Sequence, residues 1–231
     1  MNQFHRDMVV KYGLPNWLPE GWTYKPAGKN KKPVEGIGIN DVEFACQPSI
    51  AGKQVRYKLY KTWHAMLTRG FNQTTKINRP TYKDASVDSD WLYFSNFLTW
   101  ALPKYIDGYV LDKDIKYRDN KIYSADTCLF VPPNINTFVL TNRGDLEDHS
   151  LALGVSLINS KCFCARIKDP FTNKRKHLGV FSTEIEAHNA WRLQKITYGR
   201  QLSTKFNIPE LNLAIDRLEL DMVQNINTIS I

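Results

Sequence analysis

The 231-residue chain holds four cysteines, and no two stand at CxxC spacing, which argues against a structural zinc site. It also lacks any long uncharged apolar run, whereas a bilayer-spanning helix needs about 20 such residues. Residues 1–13 have no apolar stretch ahead of their charges and so do not read as a secretory signal. These absences set the expectation of a cytoplasmic protein with reduced cysteines and no membrane partner. Compositional bias is missing too. With 42% hydrophobic and 23% charged residues the chain is not a disordered polymer, and its length allows two small domains or one large one.

What is present is positive charge, and it is unevenly placed. The formal net charge is +8. Residues 151–205 carry 10 basic against 3 acidic side chains, while residues 61–150 carry 11 of each and residues 206–231 carry 1 against 4. A positive field concentrated on one stretch is the electrostatic footprint of a polyanion binder.

Residues 1–55 are broken by Pro15, Pro19, Pro26, Pro33 and Pro48 and read as an arm of loops and turns. Trp17, Trp22 and Tyr24 are expected to pack this arm onto the next domain. Its lysines (Lys25, Lys29, Lys31, Lys32) fit either a solvated loop or phosphate contacts. Tyr60, Trp63, Met66, Leu67 and Phe71 then recur at helical spacing, with Gly70 and Asn72 marking the helix end. Ser89 is placed to cap a second helix whose Trp91, Phe94, Phe97, Leu98, Trp100 and Ala101 face inward. In residues 109–133, Val110-Leu111 predict a strand, Asp119-Asn120 a polar turn before a return, and Ser124, Asp126 and Thr127 the start of a short helix.

The order Tyr60-x-x-Trp63-x-x-Met66-Leu67, Trp91, Phe94, Phe97, Trp100, Leu111-Asp112-Lys113-Asp114-Ile115, Asn120-Lys121-x-Tyr123-Ser124, Thr127-Cys128-x-Phe130-Val131-Pro132 resembles a phage and bacterial family. That family is grouped with the HNH-type (ββα-metal) endonucleases, and the match covers about residues 58–136. Hydrolysis of a phosphodiester needs a divalent metal for the developing charge and a base to activate water. The resemblance implies Asp112 as metal ligand and puts Lys113 where the family has its catalytic histidine and Thr127 where it has the helix asparagine. A lysine of ordinary pKa is protonated at neutral pH and a poor base. Asp114, Asp119 and Asn120 stand nearby as substitute oxygen ligands for Mg²⁺. The resemblance thus yields Asp112, Lys113 and Asn120 as the catalytic candidates and Asp112 with Asp114 as the metal candidates. The competing reading of Asp112-Lys113-Asp114 is a charged strand-turn held by salt bridges. His64 and His149 are further candidates with no partner legible in the sequence, and the acidic residues 142–148 mark a domain boundary.

Residues 154–202 read as three short strands and a helix. Phe163, Ala165 and Ile167 alternate with Cys164, Arg166 and Lys168, giving an apolar and a basic face. Asp169-Pro170-Phe171-Thr172-Asn173 supplies a turn, and Thr183-x-x-Glu186 a capping box. Gly154-Val155, Ala165-Arg166-Ile167-Lys168-Asp169-Pro170, Leu178-Gly179-x-Phe181-x-Thr183 and Glu186-Ala187-x-x-Ala190-Trp191 resemble an AP2-type DNA-binding domain. The resemblance implies a sheet lying in the major groove of duplex DNA, with Ser156, Ile158, Arg166, Lys168, Arg175 and His177 facing the bases. Arginine suits guanine O6 and N7, so Arg166 and Arg175 are the base readers, whereas Lys168, Lys174 and Lys176 hold phosphates. A last helix follows Pro209, with Leu211, Ile215, Leu218 and Met222 as its apolar stripe.

The expected fold class is α+β: an arm over 1–55, a mixed helical and ββα-like domain over 56–145, a three-stranded antiparallel sheet with its helix over 150–205, and a C-terminal helix over 206–231. Two functions remain open, a metal-dependent endonuclease placed on duplex DNA by the basic module, and a DNA-binding protein whose HNH-like part has lost catalysis. An RNA-binding or protein-interaction module is the third class.

Overall fold

The computed structural model describes residues 2–29, 31–139, 151–159 and 161–228. It has a mixed α+β fold, and no described helix is long and apolar enough to cross a membrane. Contacts divide the chain into two compact units, Met1–Asp114 with Asp119–Val131, and Ile115–Arg118 with Pro132–Ile231. Residues 140–150, which include His149 and the acidic stretch read as a boundary, lie outside the described residues.

The first unit contains α1 (Gln3–Tyr12), β1 (Ser49–Ile50), β2 (Lys53–Gln54), α2 (Lys58–Phe71), α3 (Gln73–Asn78), β3 (Ser86–Val87), α4 (Phe94–Ala101), β4 (Val110–Asp112), β5 (Ile122–Tyr123) and β6 (Leu129–Val131). Residues 1–55 are not loops throughout, because Asn2 accepts the His5 amide at 2.9 Å and caps α1. The helix is hard to see in the sequence because only His5 and Met8 are buried. Trp17, Trp22, Tyr24 and Phe44 enter the same buried cluster as Tyr57, Trp63, Phe94 and Phe97. Trp17 meets the Tyr57 ring edge-on at 5.0 Å, and Trp63 donates to the Trp91 carbonyl at 2.7 Å.

The helix α2 buries Tyr60, Trp63, Met66 and Leu67, as its periodicity predicts. Asn72 ends it and, by accepting the Thr75 amide, caps α3. Ser89 does not cap α4. It opens a 3₁₀ turn, Ser89–Leu92, capped by Asp88, and α4 begins at Phe94. The first-turn donors of α4 are met from a distance: the Ile39 carbonyl accepts the Phe94 amide, and Asp41 accepts the Ser95 amide at 2.9 Å and its hydroxyl at 2.5 Å. The strand β4 pairs antiparallel with β6, while β5 runs parallel to β3. The return after Asp119-Asn120 therefore joins a different strand from the one expected. Residues 125–127 form a turn and not a helix, since the Thr127 hydroxyl donates to the Ile122 carbonyl at 2.7 Å and Ser124 donates its amide back to Thr127.

The second unit contains α5 (Pro133–Val139), β7 (Val155–Asn159), β8 (Cys162–Lys168), β9 (Arg175–Phe181), α6 (Glu184–Phe206) and α7 (Pro209–Thr228). The three strands form one antiparallel sheet in chain order. The expected capping box starts α6, and the helix then runs past residue 202 to a left-handed Asn207. Its Ala187 and Trp191 are buried. The helix α7 packs along α6 through Leu211 and Ile215, and Arg200 holds Asp216 at 2.5 Å and Glu219 at 3.0 Å. Nothing is described of the Leu218 and Met222 side chains.

Lys195, on α6, is buried in this unit. Its ammonium donates to the Phe138 carbonyl and lies 3.9 Å from the centre of the Phe138 ring. Burial pushes its pKa down to about 7.

Candidate nucleic-acid interface and acidic loop

Directly opposed residues of an antiparallel pair share a face, and so does every second residue of one strand. Three cross-strand rows follow from the register. They are Lys168 with Arg175, Arg166 with His177, and Cys164 between Ser156 and Val180. The opposite face carries Ala165 and Ile167, which are buried, and α6 packs on the sheet. Arg166, Lys168, Arg175 and His177 are all exposed. Among the described residues none offers these four side chains an ion pair. Like charges directly opposite one another destabilise a ladder, so the Lys168–Arg175 pair costs the fold something that an anionic partner would relieve.

A bulge sets this arrangement. Ala165 pairs with Gly179 but Arg166 pairs with His177, which leaves Leu178 as the extra residue in β9. Gly179 takes φ 145° at this point, a region that favours glycine. The neighbouring turn is held by Asp169, whose carboxylate accepts the Phe171 amide at 2.8 Å and the Thr172 amide at 3.3 Å. Those donors, led by Phe171, keep the Asp169 carboxyl below its ordinary range.

The structure thus gathers Ser156, Arg166, Lys168, Arg175 and His177 on one face, and Ile158 lies half exposed at a second bulge in β7. Lys174 sits in the exposed turn before β9, beside that face. Lys176 departs from the expected set. It pairs with the buried Ile167, its ammonium donates to Gln194 of α6 at 3.0 Å, and it lies 5.9 Å from the Tyr198 ring centre, so it belongs to the helix side. Val180 was not visible as a face residue, because counting by twos fails across the bulge. It is 52% exposed beside the Arg166 row.

No family model, curated protein or solved structure matches this chain.

The acidic loop begins where β4 ends. Asp112 is buried and accepts the Asp114 amide at 2.9 Å. The Lys113 ammonium, also buried, donates to Asp114 Oδ1 at 2.6 Å and to the Asn120 carbonyl at 2.7 Å, and lies 5.7 Å from the centre of the Tyr123 ring. The Asn120 carboxamide donates to the Lys113 and Ile122 carbonyls, each at 2.8 Å, and accepts the Ile122 amide at 3.2 Å. Asp119, with φ 58°, is the exposed turn residue of the loop. Asp112, Lys113, Asp114 and Asn120 therefore do come together, while Thr127 is committed to the Ile122–Ser124 turn. His64 contacts Thr68 Oγ1 at 3.4 Å within α2.

Mg²⁺ requires near-octahedral oxygen ligands at about 2.0–2.1 Å and keeps several waters. Here an ammonium already contacts the Asp114 carboxylate and the Asn120 carbonyl, and the Asn120 side chain is spent on backbone groups. The loop as built does not fit a divalent ion. Asn136 Oδ1 on α5, which no sequence signal singles out, is buried without a hydrogen-bond partner. In chain order α5 is the first helix after the β4–β6 pair.

Proposed function

We propose that this chain binds duplex DNA with the exposed face of β7, β8 and β9. The observation that carries the reading is that Arg166, Lys168, Arg175 and His177 stand on one face of a sheet whose other face is covered by a helix, with no ion pair to them among the described residues. Arg166 and Arg175 read guanine through paired donors, and Lys168 and Lys174 hold phosphates. Val180, next to Arg166, meets a thymine methyl, the apolar group that the major groove presents. The resemblance to AP2-type domains implies the same face.

Duplex RNA fits less well, because its major groove is too deep and narrow for side chains to read. Readers of single strands stack bases on aromatic side chains, and this face has no Phe, Tyr or Trp among the residues of its three rows. Metal-dependent cleavage, which the HNH-type resemblance implies, is not part of this reading, since Asp114 and Asn120 are engaged by Lys113.

Fluorescence anisotropy with a mixed-sequence DNA duplex, the matching RNA duplex and the DNA single strand tests the reading. The DNA duplex is expected to bind at least tenfold more tightly than either competitor. Equal binding of the RNA duplex, or stronger binding of the single strand, overturns it.

A further inference from the structure

We propose that the Lys113 ammonium is the resident cation of the acidic loop and takes the charge-neutralising place that a divalent ion would otherwise hold. The ammonium donates to a carboxylate oxygen and a backbone carbonyl oxygen, at 2.6 and 2.7 Å. These are the donor types that hard divalent cations select. The ring face of Tyr123 supplies a third, weaker attraction for a cation. The Lys113 side chain is 7% exposed, so the ammonium is enclosed and not a solvated surface charge.

The surroundings are built to keep it there. Asp112 fixes the Asp114 amide, which orients the carboxylate that Lys113 grips. Asn120 returns a hydrogen bond to the Lys113 carbonyl, so the two residues clasp each other through both backbone and side chain. A divalent ion entering this loop would have to displace a covalently tethered positive charge and break that clasp. The consequence is a loop that holds its shape without metal, and a unit that acts as a metal-independent scaffold. This proposal stands on the loop alone and does not depend on the DNA-binding face.

Two measurements on the full chain test it. The first adds Mn²⁺ to the wild-type protein and follows the free-ion signal by electron paramagnetic resonance. The signal is expected to stay at its protein-free amplitude, and a loss that Asp112→Asn or Asp114→Asn abolishes overturns the proposal. The second is thermal unfolding with EDTA or with millimolar Mn²⁺. Wild type is expected to melt at the same temperature in both, whereas Lys113→Met falls by about 5 °C or more because it leaves the partly buried Asp114 carboxylate and the Asn120 carbonyl without their cation. The double variant Lys113→Met, Asp114→Asn is expected to recover part of that fall, since both members of the ion pair are then neutral. A Lys113→Met protein as stable as wild type overturns the proposal, as does a double variant less stable than the single one. If Lys113→Met does not fold, the resonance measurement on the unaltered chain still decides. DNA affinity, measured separately in EDTA, reports on the other reading.

Discussion

At the scale of single residues, the two faces of β9 make opposite predictions for neighbouring cations. Arg166→Ala and Arg175→Ala are expected to cost roughly 1–3 kcal/mol of binding at a preferred site, with a smaller loss on unrelated duplexes. Lys176→Ala should leave DNA affinity within a factor of about two, because its ammonium is engaged with Gln194 and not presented on the outer face. Competition binding separates these outcomes, and equal loss from Arg166→Ala and Lys176→Ala contradicts the assignment of faces. Val180 gives a test from the DNA side. Replacing thymines by uracils in a selected site is expected to weaken wild type more than Val180→Ala, since only the larger side chain meets the missing methyl.

Lys195 makes a residue-scale prediction in pH. Its folded pKa of about 7 lies below the ordinary lysine value of 10.5, and burial is the cause. Below pH 7 the group is charged in both states and the full cost of burying it is present. As pH rises past 7 the native state sheds its proton while the unfolded chain keeps it, so stability increases through this group. Between pH 7 and 8.5 the gain is on the order of 1–2 kcal/mol relative to Lys195→Met, read by urea unfolding of the two proteins. An unchanged difference across that window contradicts it. Above that window the buried thiols of Cys46 and Cys128, pushed up to about 12, act in the opposite direction.

At the scale of elements, the structure shows which signals were legible and why. The capping box of α6 and the apolar stripe of α2 were readable because both depend on residues within one or two turns. The cap of α4 was not, since Asp41 lies 54 residues from Ser95 and only tertiary packing joins them. Strand partners were equally hidden. Two- and three-residue strands leave no periodic signal, and the exchange that pairs β4 with β6 instead of β5 is decided by the whole unit. Of the basic face, Arg166, Lys168, Arg175 and His177 were legible; Lys176 falls on the opposite face because it alternates with Arg175 and His177, and Val180 was hidden by the bulge at Leu178 that precedes it. In the acidic loop the residues were legible, but the clasp between Lys113 and Asn120 was not.

One element junction carries a sharp prediction. Gly154 opens β7 with φ 80°, and a Cβ placed there would lie 1.9 Å from Cδ1 of the buried Trp191. Gly154→Ala must therefore strain the backbone and displace a core ring, at a cost of about 2–4 kcal/mol. Chemical denaturation measures it, and a loss below about 0.5 kcal/mol would show that the sheet and α6 do not pack as described.

At the scale of the whole molecule, charge is distributed by task. The excess of residues 151–205 is displayed in part on one sheet face, while the first unit, with its dense ring cluster, contains the internally neutralised Lys113 loop. Such a division suits a protein that grips a polyanion with one surface and needs no metal to keep the rest in shape. The most direct test of the central claim is the salt dependence of binding to a DNA duplex, recorded for wild type and for Lys168→Ala. The two phosphate-neutralising cations, Lys168 and Lys174, predict a slope of log K against log salt of about −2, reduced by about 1 in Lys168→Ala. A wild-type slope near zero, or a slope that Lys168→Ala leaves unchanged, would contradict binding by this face.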